Sequence, residues 1–85
     1  MPVRPSRRWV VIRGRKTSVS LEDAFWNALT EIAGARGISI SALVADIDDM
    51  RPDLHQNLSS YLRVNILKHY QRLAAQAEQA ARSEK

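Results

Sequence analysis

One strand-forming stretch followed by three helical patterns is the feature that most limits how this chain folds. Residues 9–21 are rich in Trp, Val, Ile and Thr, and apolar and polar residues alternate from Thr17 onward. Gly14 interrupts this stretch and indicates a bulge or a close backbone approach, which leaves open whether Trp9–Ile12 continues the same strand. Apolar residues at helical spacing then predict three helices, over residues 22–36, 39–50 and 58–82. The pattern is typical of a mainly α fold with one N-terminal β-strand.

A lone strand leaves its backbone donors and acceptors without partners. A second copy of the chain can supply an antiparallel partner across a two-fold axis, which predicts a homodimer. The alternation turns one set of side chains toward the helices: Thr17, Val19 and Leu21. It turns the other set outward: Lys16, Ser18 and Ser20. Two paired strands form a ribbon that fits the major groove of DNA, so the outward set becomes a candidate DNA-reading face.

Positive charge is concentrated at the N-terminus. The first carboxylate is Glu22, and six basic residues precede it: Arg4, Arg7, Arg8, Arg13, Arg15 and Lys16. The other seven of the 13 basic residues share the rest of the chain with all nine acidic residues. Such a distribution indicates a polyanionic partner. Residues 1–8 have no apolar pattern and are predicted to form a flexible basic arm.

Composition argues against several classes of protein. The chain has 85 residues, enough for one small domain, and no cysteine, so neither disulfides nor a thiolate zinc site stabilise it. His55 and His69 are fourteen residues apart without a third ligand nearby, which argues against a metal site. No nucleophile–base pair and no phosphate-binding glycine loop is present. We therefore expect no enzyme and no cofactor, and a cytoplasmic protein without a membrane span.

Three segments together resemble a known family. They are Arg15–Glu22, with the following Phe25-Trp26 and Leu29; Arg36–Leu43; and Asn57–Arg63. These residues are similar to the ribbon-helix-helix superfamily of the Arc, MetJ and CopG repressors, and to a bacterial subgroup whose members carry an extra C-terminal helix. The resemblance covers roughly residues 13–70.

The resemblance implies roles for particular residues. Outward strand residues read base edges in this superfamily, which assigns base contact to Lys16, Ser18 and Ser20. The turn before the second helix holds a phosphate, which assigns that role to Ser39 and Ser41 and suits the free amides of a helix N-terminus. Serine discriminates poorly between bases, so Arg13 and Arg15 or DNA shape are expected to contribute. Apart from the resemblance, positive charge predicts phosphate contact for the arginines of the N-terminus: Arg4, Arg7, Arg8, Arg13 and Arg15. For the first three, contact with the minor groove and a merely solubilising tail are the alternatives.

The dimer core is expected to collect the apolar positions of the ribbon and the first two helices. These are Thr17, Val19, Leu21, Phe25, Trp26, Leu29, Leu43 and Ile47. Trp26 lies beside Phe25 and is predicted to pack. Trp9 lies between Arg8 and Val10 and is the better candidate for contact with a ligand or a second dimer.

The remaining segments leave several interpretations open. Four carboxylates cluster near the second helix, and they are either solvated or paired with a basic segment of a neighbour: Asp46, Asp48, Asp49 and Asp53. The domain plan is an arm (1–8), a ribbon-helix-helix core (9–52) and a connector with a C-terminal helix (53–85). We expect a dimeric, nucleoid-associated DNA-binding regulator. The alternatives are an antitoxin that binds a toxin through residues 58–85, and an oligomeric scaffold that has lost DNA binding.

Overall fold

The computed structural model describes residues 3–53 and 57–83, and it contains a two-stranded sheet followed by three helices. The strands are β1 (Ser6–Ile12) and β2 (Arg15–Leu21). The helices are α1 (Asp23–Arg36), α2 (Ile40–Asp49) and α3 (Leu58–Ser83). The fold class is therefore confirmed as mainly α with an N-terminal ribbon and a long third helix.

The ribbon is a hairpin within one chain. β1 and β2 pair antiparallel from Ser6 opposite Leu21 to Ile12 opposite Arg15. The two residues between them, Arg13 and Gly14, have positive φ angles of 50° and 78°. Positive φ at both central residues gives a hairpin turn whose twist matches that of the strands.

This hairpin corrects two expectations. The sequence leaves open whether Trp9–Ile12 continues the strand, and the structure places these residues in a separate strand, because Gly14 is part of a tight turn rather than a bulge. β1 takes the place along β2 that a second subunit's strand was expected to take. The structure also places Arg7 and Arg8 in β1 rather than on a flexible arm. Val3, Arg4 and Pro5 precede β1 without regular structure, and the first two residues of the predicted arm lie outside the described residues.

The helices follow the predicted boundaries closely. Glu22 occupies the N-cap of α1 in extended conformation, and Gly37 ends that helix with a φ of 69°. The amide of Ile38 donates to the carbonyl of Ala33 and that of Gly37 to Gly34, which is a Schellman motif. The Asn57 side chain accepts from the Ser60 amide at 3.0 Å and caps α3. His55 and part of the predicted connector lie outside the described residues.

One core lies between the inner face of the ribbon and the helices. It contains Val10, Ile12, Val19, Leu21, Leu29, Ile32, Ala33, Leu43, Val44, Ile47, Leu62 and Ile66. Burying such side chains contributes about 1.5–3 kcal/mol each, so this cluster is the main source of stability. From Gln71 onward every described residue of α3 is exposed, so the second half of this helix projects beyond the core. Within residues 3–53 and 57–83 no single helix is long and apolar enough to cross a membrane, although α1 and α2 together, bent by 96°, reach the necessary length and composition.

Candidate nucleic-acid interface

The outer face of the ribbon brings together all three side chains predicted to read bases. Lys16, Ser18 and Ser20 are exposed on β2, while Val19 and Leu21 between and beside them are buried. Side chains alternate between the two faces of a strand, so these three share the solvent face. β1 contributes its own outward residues to the same face, directly opposite in the register: Arg7 opposite Ser20, Trp9 opposite Ser18, and Val11 opposite Lys16.

Arg13 is predicted to contact phosphate, but the structure pairs it with carboxylates of α2. Its guanidinium donates to Asp48 at 2.9 Å and also to Asp49. The hydrogen bond and charge of Asp49, with a smaller effect from Asp48, raise the pKa of Arg13. Asp48 also pairs with Arg51 at 2.8 Å. Asp48 and Asp49 were expected to be solvated or paired with a neighbouring subunit. They instead bind Arg13 of the hairpin turn in the same chain and so attach the turn to α2.

Arg8 is likewise engaged inside the chain. Its side chain points to the helical side of the ribbon, where it pairs with Asp23 in the first turn of α1. The guanidinium carbon lies 5.0 Å from the centre of the Trp26 ring, within the range of a cation–π contact. Arg8 therefore joins β1 to α1, and a phosphate contact would have to compete with Asp23.

Four cationic side chains remain around the ribbon. Arg4, Arg7, Arg15 and Lys16 form no ion pair with any carboxylate among the described residues. All four are exposed. The N-terminal charge thus divides into side chains that hold the fold together and side chains that face solvent.

The two serines predicted to hold a phosphate at the start of α2 both make hydrogen bonds within the chain. The Ser39 hydroxyl caps the helix by accepting from the Ala42 amide at 3.0 Å. The Ser41 hydroxyl accepts from the Val11 amide at 3.0 Å and so ties α2 to the edge of β1. Ser39 is exposed beside the positive end of the helix dipole, whereas the Ser41 hydroxyl is engaged by the backbone of β1.

Two residues of α3 hold the other edge of the ribbon. The Ser59 hydroxyl accepts from the Ser20 amide at 2.9 Å, and Arg63 donates to the Ser20 carbonyl at 2.9 Å. Arg63 also pairs with Glu22 at 2.9 Å and lies 5.9 Å from the Phe25 ring. A hydrogen bond from the backbone of Glu22 and the one from Arg63 lower the pKa of that carboxyl from its ordinary value of 4.5. Ser59 and Arg63 lie in the Asn57–Arg63 segment that carries the resemblance, but the sequence offered Ser59 only as an alternative cap of the third helix and linked neither residue to the ribbon.

The residues predicted for a dimer core lie within the core of one chain. Val19, Leu21, Leu29, Leu43 and Ile47 are buried there. Phe25 and Trp26 pack against it and are half-buried, as is Thr17. Trp9 lies on the opposite face of the ribbon and is 52% exposed, and its contact with a ligand or a second dimer stays a prediction. Among the residues that the structure describes, no group of three or more His, Asp or Glu side chains could hold a metal ion.

Comparison with known proteins identifies the family. The model of a ribbon-helix-helix domain matches residues 5–70, which is most of the chain. The chain belongs to the ribbon-helix-helix family. The ribbon-helix-helix domain is a fold of the DNA-binding, transcription-regulator type, and proteins that carry it generally dimerise and are typically not enzymes.

A solved structure shares this ribbon-helix-helix fold. It is that of an uncharacterized protein from Bordetella pertussis Tohama I, with a TM-score of 0.68 and 34% sequence identity. The match covers 86% of this chain and 60% of that protein, so the chain spans less than two thirds of its relative. A search of curated proteins finds no match.

Proposed function

We propose that this protein is a homodimeric transcriptional regulator that places the outer face of its β-ribbon in the major groove of duplex DNA. One observation carries the proposal: Lys16, Ser18 and Ser20 share an exposed ribbon face with cationic neighbours, on a fold of the DNA-binding type. A two-stranded ribbon is narrow enough to enter the major groove, where base edges carry sequence information. Lys16 would donate to guanine acceptors, and the two serines would bond to several bases.

Charge around the ribbon supports the proposal. Arg7 lies on the outer face opposite Ser20, whereas Arg15 lies opposite the buried Ile12 and so on the face that the helices cover, at the exposed end of β2. Arg4, Arg7 and Arg15 are exposed and form no ion pair with a described carboxylate, so they can contact phosphates without breaking an ion pair of the fold. Arg8 and Arg13 would have to leave Asp23 and the Asp48–Asp49 pair. We therefore assign phosphate contact first to the unpaired arginines. Phosphate contacts position a protein on DNA, while base contacts specify the site.

The homodimer is proposed from the family and from the exposed apolar side chains of α3. Val64, Leu67 and Leu73 are each about half exposed on this helix. A solvent-exposed helical extension is marginally stable by itself, so a second subunit would stabilise it. The Ser20 edge of β2 is bonded to α3 of the same chain, which favours association through helices over pairing of the β2 strands.

Salt dependence of binding tests the ribbon directly. Each lost phosphate contact should reduce the slope of log K against log salt by about 0.9. We expect Arg7→Ala with Arg15→Ala to lower this slope by about 1.8 per protomer, which is about 3.6 for a bound homodimer, on a random-sequence duplex. Arg82→Ala is the control, because Arg82 pairs with Glu78 at the far end of α3. An unchanged slope in the double variant would remove these arginines from the interface.

A second candidate function rests on α3. Its exposed second half, from Gln71 to Ser83, is long enough to carry a protein partner, as in an antitoxin that binds a toxin through its C-terminal segment. Co-purification of a second, smaller chain in stoichiometric amount from the native source, lost on truncation after Tyr70, would favour this function. A homodimer alone from the same purification would count against it.

A further inference from the structure

The outer side of the ribbon, proposed above to face DNA, has an apolar centre. Trp9 is 52% exposed and Val11 is 54% exposed, and both lie on the outer face of β1. They are two residues apart on one strand, so their side chains are neighbours on that face. Ser18 and Lys16 lie opposite them on β2. Large apolar side chains that are exposed together indicate a contact surface.

Lys16 fixes the chemistry around this centre. Its ammonium nitrogen lies 4.7 Å from the centre of the Trp9 ring, within the range of a cation–π contact. The contact orients the indole and places a positive charge beside it. Arg7 lies on β1, on the same outer face as Trp9, and adds a second cation there. An apolar surface edged by cations suits a partner that is anionic overall and apolar at one point.

We propose that Trp9 and Val11 are specificity-determining residues that contact the 5-methyl groups of thymine in the major groove. This inference rests on the proposed function above. Among the base edges exposed in the major groove, the thymine methyl is the apolar feature. Ser18 and Ser20 can bond to several bases, so the ribbon needs another source of selectivity. Apolar contact with methyl groups supplies it at the centre of the ribbon, where base edges rather than phosphates lie.

The thymine methyl can be removed without changing base pairing. Two duplexes of the same A·T-rich sequence, one with thymine and one with uracil in its place, differ by these methyl groups. Burying one methyl group favours binding about fourfold, so the parent protein should bind the thymine duplex about fourfold more tightly per methyl contacted. The double variant Trp9→Ser with Val11→Ser leaves no methyl group at these positions and introduces the residue type already present on this face at Ser18 and Ser20, so it should bind both duplexes equally.

Met50→Ser is the matched control, because Met50 is a 60% exposed apolar residue at the end of α2, outside the ribbon. It should retain the preference for thymine. Thermal unfolding of all variants checks that the fold is intact. Equal binding of both duplexes by the parent would overturn the inference while leaving DNA binding established, whereas no binding of either duplex would overturn the proposed function itself. The inference would also be overturned if the folded double variant retained the preference for thymine. Loss of self-association in this variant would overturn it as well, because this face would then be a protein interface.

Discussion

The guanidinium of Arg63 donates to the backbone carbonyl of Ser20 at 2.9 Å, which joins the third helix to the edge of the ribbon. The same side chain pairs with Glu22 at 2.9 Å, directly before α1. Edge strands with free backbone groups invite pairing with other chains, and this contact covers one such edge. The extra helix of this protein is thus part of the ribbon's support as well as an extension beyond the core.

Removing Arg63 should loosen the ribbon. Arg63→Ala loses bonds to a carboxylate and a carbonyl, and hydrogen bonds to charged groups contribute about 1.5–3 kcal/mol. Urea unfolding should show a loss in that range, and amide exchange should accelerate in β2. The control is Arg82→Ala, whose exposed pair with Glu78 should contribute below about 0.5 kcal/mol. Equal stability of the two variants would show that Arg63 does not support the ribbon.

The pair of Glu22 with Arg63 predicts a pH dependence. The pKa of Glu22 is lowered in the folded state, so its contribution to stability is complete above the ordinary pKa of 4.5 and is lost as pH falls through the lower, folded pKa. The difference in Tm between the parent and Glu22→Gln should be constant well above the ordinary pKa of 4.5 and should shrink as pH falls through the lower, folded pKa. A difference that grows on acidification would have the opposite sign and would contradict this role of the ion pair.

Gly14 should be specifically required by the hairpin turn. Its φ is 78°, and an added Cβ there would meet no atom within 4 Å, so substitution acts through backbone strain alone. Gly14→Val should cost about 1–2 kcal/mol in urea unfolding. Gly34→Ala is the control, because Gly34 lies in α1 with equal space around it, and alanine should stabilise that helix by about 0.5–1 kcal/mol. Two variants that shift stability in the same direction would contradict the assigned turn.

The local sequence predicts the helices better than the hairpin, for a physical reason. Apolar spacing, Ser39 and Gly37 mark helix faces and ends locally, and the structure follows them. A tight hairpin turn normally begins with Asn, Asp or Gly, whereas here Arg13 adopts the positive φ. Its partners, Asp48 and Asp49, follow 35 and 36 residues later, so the contacts that hold the turn are absent from local sequence.

Part of the candidate site could likewise be predicted from the sequence, and part could not. Alternation predicts that Lys16, Ser18 and Ser20 share one exposed face, and the structure places them so. Residue type alone could not separate Arg8 and Arg13, which pair with carboxylates, from Arg7 and Arg15, which form no ion pair with a described carboxylate. For Arg7 and Arg8 the distinction depends on which side of β1 the helices cover, whereas for Arg15 it depends on whether a carboxylate lies near the start of β2.

Asp48 should be the carboxylate on which the turn depends. Its side chain is 7% exposed and pairs with both Arg13 and Arg51, so Asp48→Ala should cost about 2–3 kcal/mol by leaving cations without their carboxylate. Asp49→Ala is the control, because Asp49 is 61% exposed and solvent screens its pair with Arg13, so its loss should be clearly smaller. Chemical unfolding of both variants measures the difference, and equal losses would contradict the role given to Asp48.

The main proposal is that the ribbon of a self-associating protein binds duplex DNA. Sedimentation velocity at low salt, with and without a random-sequence duplex, measures self-association and DNA binding together. We predict a dimer without DNA and a faster complex with the duplex, which dissociates as salt is raised because phosphate contacts release counterions. A protein that sediments identically with and without duplex at low salt would contradict the proposal.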